Sequence, residues 1–144
     1  MKKATPFRYM NEQIGFYIAA GDQELLAQVK KLMSYLPSNN LEQPPKKPMG
    51  DDPERREDSL DTIIPEDPMK PYDMKEVIRK VVDKGEVFEV QEQFARNMIT
   101  AFARMDGGPV GIVANQPMAL AGTLDASSSL KAARFVRFCD SFNI

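Results

Sequence analysis

The 144-residue chain has no histidine, no tryptophan and a single cysteine. Without histidine it can build no Ser/His/Asp triad, no Cys/His dyad, no imidazole acid or base and no His-containing metal site. One cysteine excludes an internal disulfide, a CxxC redox pair and a thiolate zinc site. Long apolar runs are missing too, since nothing approaches the ~20 continuous apolar residues of a membrane-spanning helix. Met1-Lys2-Lys3 has the look of a secretion signal, but Arg8, Asn11, Glu12 and Gln13 precede the apolar run Ile14 to Ala20. That run is too short and too late to serve as the core of such a signal. A cytoplasmic location is expected, and a free Cys139 suits a reducing compartment. Charge of one sign is also scarce: 19 basic against 21 acidic side chains leave −2, with no basic footprint for nucleic acid.

Proline, in contrast, is plentiful. Eight of the 11 prolines fall between Pro37 and Pro71, interleaved with Lys46, Lys47, Asp51, Asp52, Glu54, Arg55, Arg56, Glu57 and Asp58. Each proline lacks an amide donor and restricts its predecessor, so this stretch can be neither a continuous helix nor a central strand. It is expected to be an extended linker or wrapping arm. A connection this long is unusual inside one compact domain and points to two parts joined by it.

Before the arm, Ile14 to Ala20 predicts a strand, Gly21-Asp22 a turn with Asp22 as helix N-cap. Leu25, Leu26, Val29, Leu32, Met33 and Leu36 then share one helical face. After the arm, Asp73 followed by Glu76 predicts a capping box in its Asp variant. Met74, Val77, Ile78, Val81 and Val82 follow at helical spacing, and Gly85 stands where a terminating glycine belongs. Val87 to Val90 and Met98 to Met105 predict strands, and Asp106-Gly107-Gly108 a hairpin turn into Val110, Ile112, Val113 and Ala114. Strands apolar on both faces suit a sheet covered on both sides. A last helix is expected to begin near Ser127 to Ser129. Its apolar face is predicted to be Leu130, Ala132, Ala133, Phe135, Val136, Phe138, Cys139 and Phe142, with Lys131, Arg134, Arg137 and Asp140 polar. The chain stops at Ile144 with no further strand for this helix to cover, so an incomplete α/β domain is expected.

Candidate chemistry is sparse. The acidic run 51–58 lacks the ligand spacing and central glycine of a calcium loop, and Arg55 and Arg56 sit within it, so no metal site is expected. Gly107-Gly108 has neither GxGxxG nor GxxxxGK around it. Cys139 has no histidine to activate it and is expected to be a packing residue. The segment Asn115-Gln116-Pro117, continuing through Met118-Ala119 to Leu120-Ala121-Gly122, reads from its spacing as an ordinary connecting loop, with a ligand loop as the alternative. It follows a buried strand and precedes a helix, where α/β folds expose backbone amides.

Several stretches resemble the carboxyltransferase subunits of biotin-dependent acyl-CoA carboxylases, in the branch of propionyl-CoA carboxylase β and methylmalonyl-CoA decarboxylase α subunits. They are Ser34-Tyr35-Leu36-Pro37-Ser38-Asn39-Asn40, Ser59 to Pro65, Lys70 to Ile78, Phe94-Ala95-Arg96-Asn97, Phe102 to Gly107, Pro109 to Pro117 and Lys131 to Ile144. The resemblance runs in order from about Leu32 to Ile144. Residues 1–31 match more loosely, and Thr123 and Ala126 to Ser129 depart from the usual pattern.

The resemblance implies a crotonase-like fold of repeated ββα units, two such domains per subunit. On that map residues 1–36 are the tail of the N-terminal domain, 37–71 the interdomain linker and 72–144 the opening of the C-terminal domain. The implied reaction moves a carboxyl group between biotin, borne by a separate carrier protein, and the α-carbon of a short acyl-CoA, propionyl-CoA or methylmalonyl-CoA. Paired backbone amides act as oxyanion holes and no metal is required. Implied partners are the biotin carboxyl carrier protein, and a biotin carboxylase or membrane decarboxylase subunits, around a homo-oligomeric core. The family's Gly-rich oxyanion motifs are not among these residues, so no catalytic residue is assigned and the chain alone is expected to be inactive. Asn115, Gln116, Pro117, Leu120, Ala121 and Gly122 are the candidates for the biotin side of the pocket. Two alternatives are another crotonase-type CoA enzyme and a non-enzymatic interaction module whose arm wraps a partner.

Overall fold

A computed structural model describes residues 21–52, 54–67 and 69–144; the strand expected at Ile14 to Ala20 lies outside them. The architecture is built around a three-stranded antiparallel meander in chain order, β1 (Phe88–Glu89), β2 (Met98–Met105) and β3 (Gly108–Asn115). Helix α1 (Asp22–Met33) precedes the arm, α2 (Leu60–Ile63) is a single turn within it, and α3 (Met74–Val81) and α4 (Ala126–Ser141) follow.

The meander follows from its turn. Met105 pairs with Gly108, leaving a two-residue loop in which Asp106 and Gly107 both have positive φ, 50° and 70°. That is the type I′ geometry whose twist matches a right-handed strand pair, and Asp-Gly supplies it at low cost. Strand alternation then sorts β2. Phe102 faces Tyr35, Phe88, Val90, Phe135 and Cys139 on one side, while Ile99, Ala101 and Ala103 face Ile78 and Val82 on the other. Helix α4 covers the first layer and α3 the second, so β2 is buried on both faces, as expected. β3 is covered less completely: Val110, Ile112 and Ala114 pack on the α3 layer, whereas Val113 is exposed.

The helix ends differ from their sequence expectations. The N-cap of α1 is Gly21 in extended conformation, and Asp22 is the first helical residue with no cap hydrogen bond. Of the predicted α1 face, Leu32 alone packs against the core cluster; Leu25, Leu26, Val29 and Met33 are exposed, because no described element lies over them. Asp73 caps α3 by accepting from the Lys75 amide at 2.9 Å, but Glu76 makes no reciprocal bond. The same Asp73 oxygen also accepts from the Gln116 side chain at 2.6 Å. Helix α3 stops at Val81, and Gly85 closes the separate 3₁₀ turn Asp83–Gly85 rather than the helix. Ile78 and Val82 reach the core and Val81 does not; each buried side chain contributes about 1.5–3 kcal/mol.

Helix α4 begins one turn earlier than its serines suggest. Asp125 is the N-cap and forms a reciprocal capping box with Ser128. Leu130 and Val136 of the predicted apolar face are exposed, and Lys131, predicted polar and outward, is fully buried beside Phe135 and Cys139. The stripe 128, 131, 135, 139 is the inward one. It tolerates a lysine because the ammonium finds three carbonyl oxygens there.

The arm is held to the meander by polar contacts. Arg104, at the end of β2, donates to the carbonyls of Ser34 (2.6 Å), Pro45 (2.9 Å) and Gly107 (2.7 Å). The Lys47 amide bonds to the Gly107 carbonyl at 3.0 Å, and Arg55 donates to the Val82 carbonyl at 2.8 Å. In the acidic run, Asp51 accepts from the Lys84 amide and pairs with Arg55, and Glu57 pairs with Lys80. These charges are spent on one another and on backbone groups.

Candidate functional site

The candidate ligand loop leaves β3 at Asn115 and enters α4 at Asp125. Its first residue, Gln116, is buried and fixes the loop from within: its amide donates to the Asn97 carbonyl at 2.9 Å, and its Nε2 to Asp73 at 2.6 Å. Its Oε1 accepts from the Met74 amide at 3.2 Å and the Met118 amide at 3.4 Å. Burial pushes the Asp73 carboxyl up, but the Gln116 amide, the Lys75 amide and the charges of Lys75 and Arg79 outweigh it and hold the group below the usual range.

Beyond Gln116 the backbone folds back in consecutive turns. The Ala119 amide bonds to the Gln116 carbonyl, Gly122 to Ala119 and Thr123 to Leu120, at 2.9–3.0 Å. Leu120, Ala121 and Gly122 all have positive φ, 50°, 51° and 71°. For two non-glycine residues this left-handed conformation is costly, about 1–3 kcal/mol each where it is held by its surroundings. Gly122 takes this backbone without a side-chain penalty, and a Cβ there would lie 2.7 Å from Asn115 Nδ2, so that side chain would have to shift. The amides of Leu120 and Ala121 have no acceptor among the described residues. They remain as hydrogen-bond donors at a surface flanked by the exposed side chains of Met118, Leu120 and Leu124.

The six residues singled out from the sequence are therefore brought together unequally. Asn115, Pro117 and Gly122 pack on one another, Gln116 is turned inward as the loop's anchor, and Leu120 and Ala121 face out. No side chain from Gln116 to Leu124 titrates, so the loop can bind and orient through amides, carbonyls and apolar contact but can neither supply nor remove a proton.

Three residues that sequence reasoning passed over complete the site. Asn97 is buried, and its Nδ2 donates to the Thr123 carbonyl at 2.7 Å, so it ties both ends of the loop. Asp125 closes the loop onto α4, its carboxyl held low first by the Ser128 amide. Lys131 lies behind Asn97, its ammonium donating to the carbonyls of Met98 (2.6 Å), Phe94 (2.9 Å) and Ala95 (3.4 Å). Asn97 heads an apolar run, a position where a polar side chain signals a strand-entry contact; nothing in the sequence distinguishes Lys131 from a solvated lysine. Cys139 packs against the core, its thiol pushed up by burial to about 11. Among the described residues no group of carboxylates or cysteine could hold a metal ion, and no helix is long and apolar enough to cross a membrane.

A meander flanked by helices is a mixed α/β arrangement, and the solved structures it resembles have the crotonase-like fold of carboxyltransferases. The carboxyl transferase domain family matches residues 10–144, and the chain belongs to that family. The propionyl-CoA carboxylase beta chain of Roseobacter denitrificans is 58% identical over 123 residues, 85% of this chain and 24% of that one. The methylmalonyl-CoA decarboxylase subunit alpha of Veillonella parvula is 49% identical over 131 residues, 91% of this chain and 26% of that one. Among solved structures, the transcarboxylase 12S, a hexamer crystallised with hydrolysed methylmalonyl-coenzyme A, is 43% identical with a TM-score of 0.89. That match covers 94% of this chain and 27% of the other. The chain thus spans about a quarter of the length of the curated relatives it matches. A further relative, the biotin-dependent acetyl-/propionyl-coenzyme A carboxylase beta5 subunit of Mycobacterium leprae, is 47% identical over 135 residues, 89% of this chain and 25% of that one, in agreement with the resemblance drawn from the sequence.

Proposed function

We propose that the chain is the stretch of a carboxyltransferase subunit that joins its two domains and opens the second, working in transfer of a carboxyl group between carboxybiotin and the α-carbon of a short acyl-CoA. Residues 1–36 close the first domain, 37–71 link, and 72–144 begin the biotin-facing domain. The observation that carries this is the ordered match to propionyl-CoA carboxylase and methylmalonyl-CoA decarboxylase subunits together with a loop built from backbone donors.

In this reading Asn115 to Gly122 form a wall of the biotin side of the pocket. Biotin has a flat, neutral ureido ring and an apolar thiophane ring. Free amides at Leu120 and Ala121 beside Met118 and Leu124 offer matching contacts. Biotin would arrive on a carrier protein and be carboxylated by a partner enzyme. Acyl-CoA, the oligomeric core and the oxyanion holes belong to the larger assembly, in a cytoplasmic setting. What these residues do is bind and orient; deprotonation of the acyl α-carbon is assigned to no group here.

A chimera tests the reading. The corresponding segment of a methylmalonyl-CoA decarboxylase alpha subunit is replaced with residues 21–144, and transfer from methylmalonyl-CoA to free biotin is followed as loss of the thioester's carboxyl group. Turnover is expected, with the KM for biotin altered and that for the thioester unchanged when Leu120 is replaced by alanine. A folded, oligomeric chimera that binds the thioester but transfers nothing would overturn the assignment.

A further inference from the structure

We propose that Lys131 and Asn97 act as a positioning pair that fixes the shape of the Gln116–Thr123 loop from behind. The four residues that precede β2 form a tight turn, with the Met98 amide on the Ala95 carbonyl at 2.9 Å and Ala95 at φ 43°. The Lys131 ammonium grips this turn on both sides of Asn97, taking the carbonyls of Phe94 and Ala95 before it and Met98 after it. Asn97 in turn holds both ends of the loop, through its carbonyl to Gln116 and its amide group to Thr123. The buried cation thus holds the backbone on either side of Asn97, and Asn97 in turn holds a loop whose middle is kept in a conformation its side chains disfavour.

A lysine in this place needs a reason. Both Lys131 and Asn97 are buried, and ordering an isolated ammonium in an apolar layer is opposed by the loss of its hydration. An apolar residue at the same step of the α4 stripe would fill the volume but strip the Phe94 and Met98 carbonyls of their donor and leave the Ala95 carbonyl with the Met98 amide alone. Its three protons match those three acceptors, so the turn cannot open without stranding the charge. Burial lowers its pKa to about 8, with Glu89 on β1 and Glu92 on the β1–β2 connection opposing that shift and Lys75 on α3 adding to it. Lys131 and Asn97 touch no reacting group; they act through the loop. What the loop is for rests on the biotin-side reading, but the coupling itself does not.

The test uses the whole 144-residue chain. In Lys131→Met, amide exchange at Ala119, Gly122 and Thr123 is expected to quicken about tenfold, while exchange along β2 and β3 stays within about twofold. Equal loss of protection in loop and meander, or no loss in the loop, would overturn the proposal. Because the variant could fail to fold, the unmodified chain is also titrated by carbonyl-detected NMR. The carbonyl carbons of Phe94, Ala95 and Met98 and the backbone of Gln116 and Thr123 are expected to move together with one midpoint near pH 8. If the first three move and the loop stays still, the coupling is absent. In Asn97→Ala the loop signals should lose that titration while Phe94 and Met98 keep it. A coupled loop in a chimera that transfers no carboxyl group would leave this proposal standing and sink the biotin-side reading alone.

Discussion

The Arg104 guanidinium lies 5.0 Å from the centre of the Tyr35 ring, and its Nη2 donates to the carbonyl of Ser34, the residue just before that ring, at 2.6 Å. One side chain thus seals the aromatic layer and fastens the start of the arm, with Pro45 and Gly107 as its other acceptors.

Replacing Arg104 separates these jobs. Arg104→Leu removes three hydrogen bonds, one buried and two partly buried, and is expected to cost about 2–4 kcal/mol, read from urea unfolding. Arg104→Lys keeps the charge but cannot reach all three carbonyls and should recover less than half. Limited proteolysis between residues 37 and 60 should accelerate in both, while cleavage within the β2–β3 hairpin does not.

Gly111 and Cys139 form a second coupled pair. A Cβ at Gly111 would lie 2.6 Å from the Cys139 sulfur and 3.2 Å from the Phe135 ring. Gly111→Ala is expected to destabilise by about 1–3 kcal/mol through overpacking. Adding Cys139→Ala opens space for that methyl group, so the double variant should be more stable than the sum of the two single effects predicts, by about 1 kcal/mol.

Gln116→Glu keeps the shape of the anchor but sets a second carboxylate where the amide now donates to Asp73 at 2.6 Å. Mutual repulsion raises the carboxyl pKa of the folded pair above its unfolded value, so the folded state binds more protons. Stability relative to the unmodified chain should be near normal in acid and fall as pH rises toward neutrality. A thermal-melt series at several pH values checks this, and a deficit that does not grow with pH would contradict it.

Alkaline titration tests two buried groups of opposite sign. The folded pKa of Lys131, about 8, lies below its ordinary 10.5, so above pH 8 the unfolded chain holds more protons and stability gains from this residue. The folded pKa of Cys139, about 11, lies above its ordinary 9.0, so between pH 9 and 11 the folded chain holds more protons and stability is lost. Tyr35, also raised by burial, adds to the loss at higher pH. The expected profile rises from pH 8 to 9 and then flattens or falls, and Lys131→Met should remove the rise. Alkylation of Cys139 at pH 8 should be slow until the chain is unfolded.

How much of this could be read beforehand depends on how far apart the deciding residues stand. β2 and β3 match their predicted bounds closely because an apolar run, an Asp-Gly turn and a second apolar run carry the information locally. Leu120, Ala121 and Gly122 fall in the segment the sequence singles out, but Leu120 and Ala121 carry no mark of the left-handed backbone they adopt. Lys131 was misassigned because its environment comes from carbonyls 33 to 37 residues earlier. Asp73 had the right role as a cap, but its second partner, Gln116, is 43 residues away. The exposed leucines of α1 follow a helical period faithfully; periodicity states which face is apolar and not what covers it.

Sheet order that repeats chain order also has a consequence in time. β1, β2, β3 and α4 meet mostly near neighbours, whereas Arg104 joins Ser34 and Pro45 across 70 and 59 residues. Closing the long loop is entropically slower than zipping the meander, so the hairpin is expected to form in the rate-limiting step and the arm to dock after it. Contacts made late restrain escape rather than speed arrival. The arm therefore works as a latch: loosening it at Arg104 should leave the refolding rate almost unchanged and shorten the lifetime of the folded state.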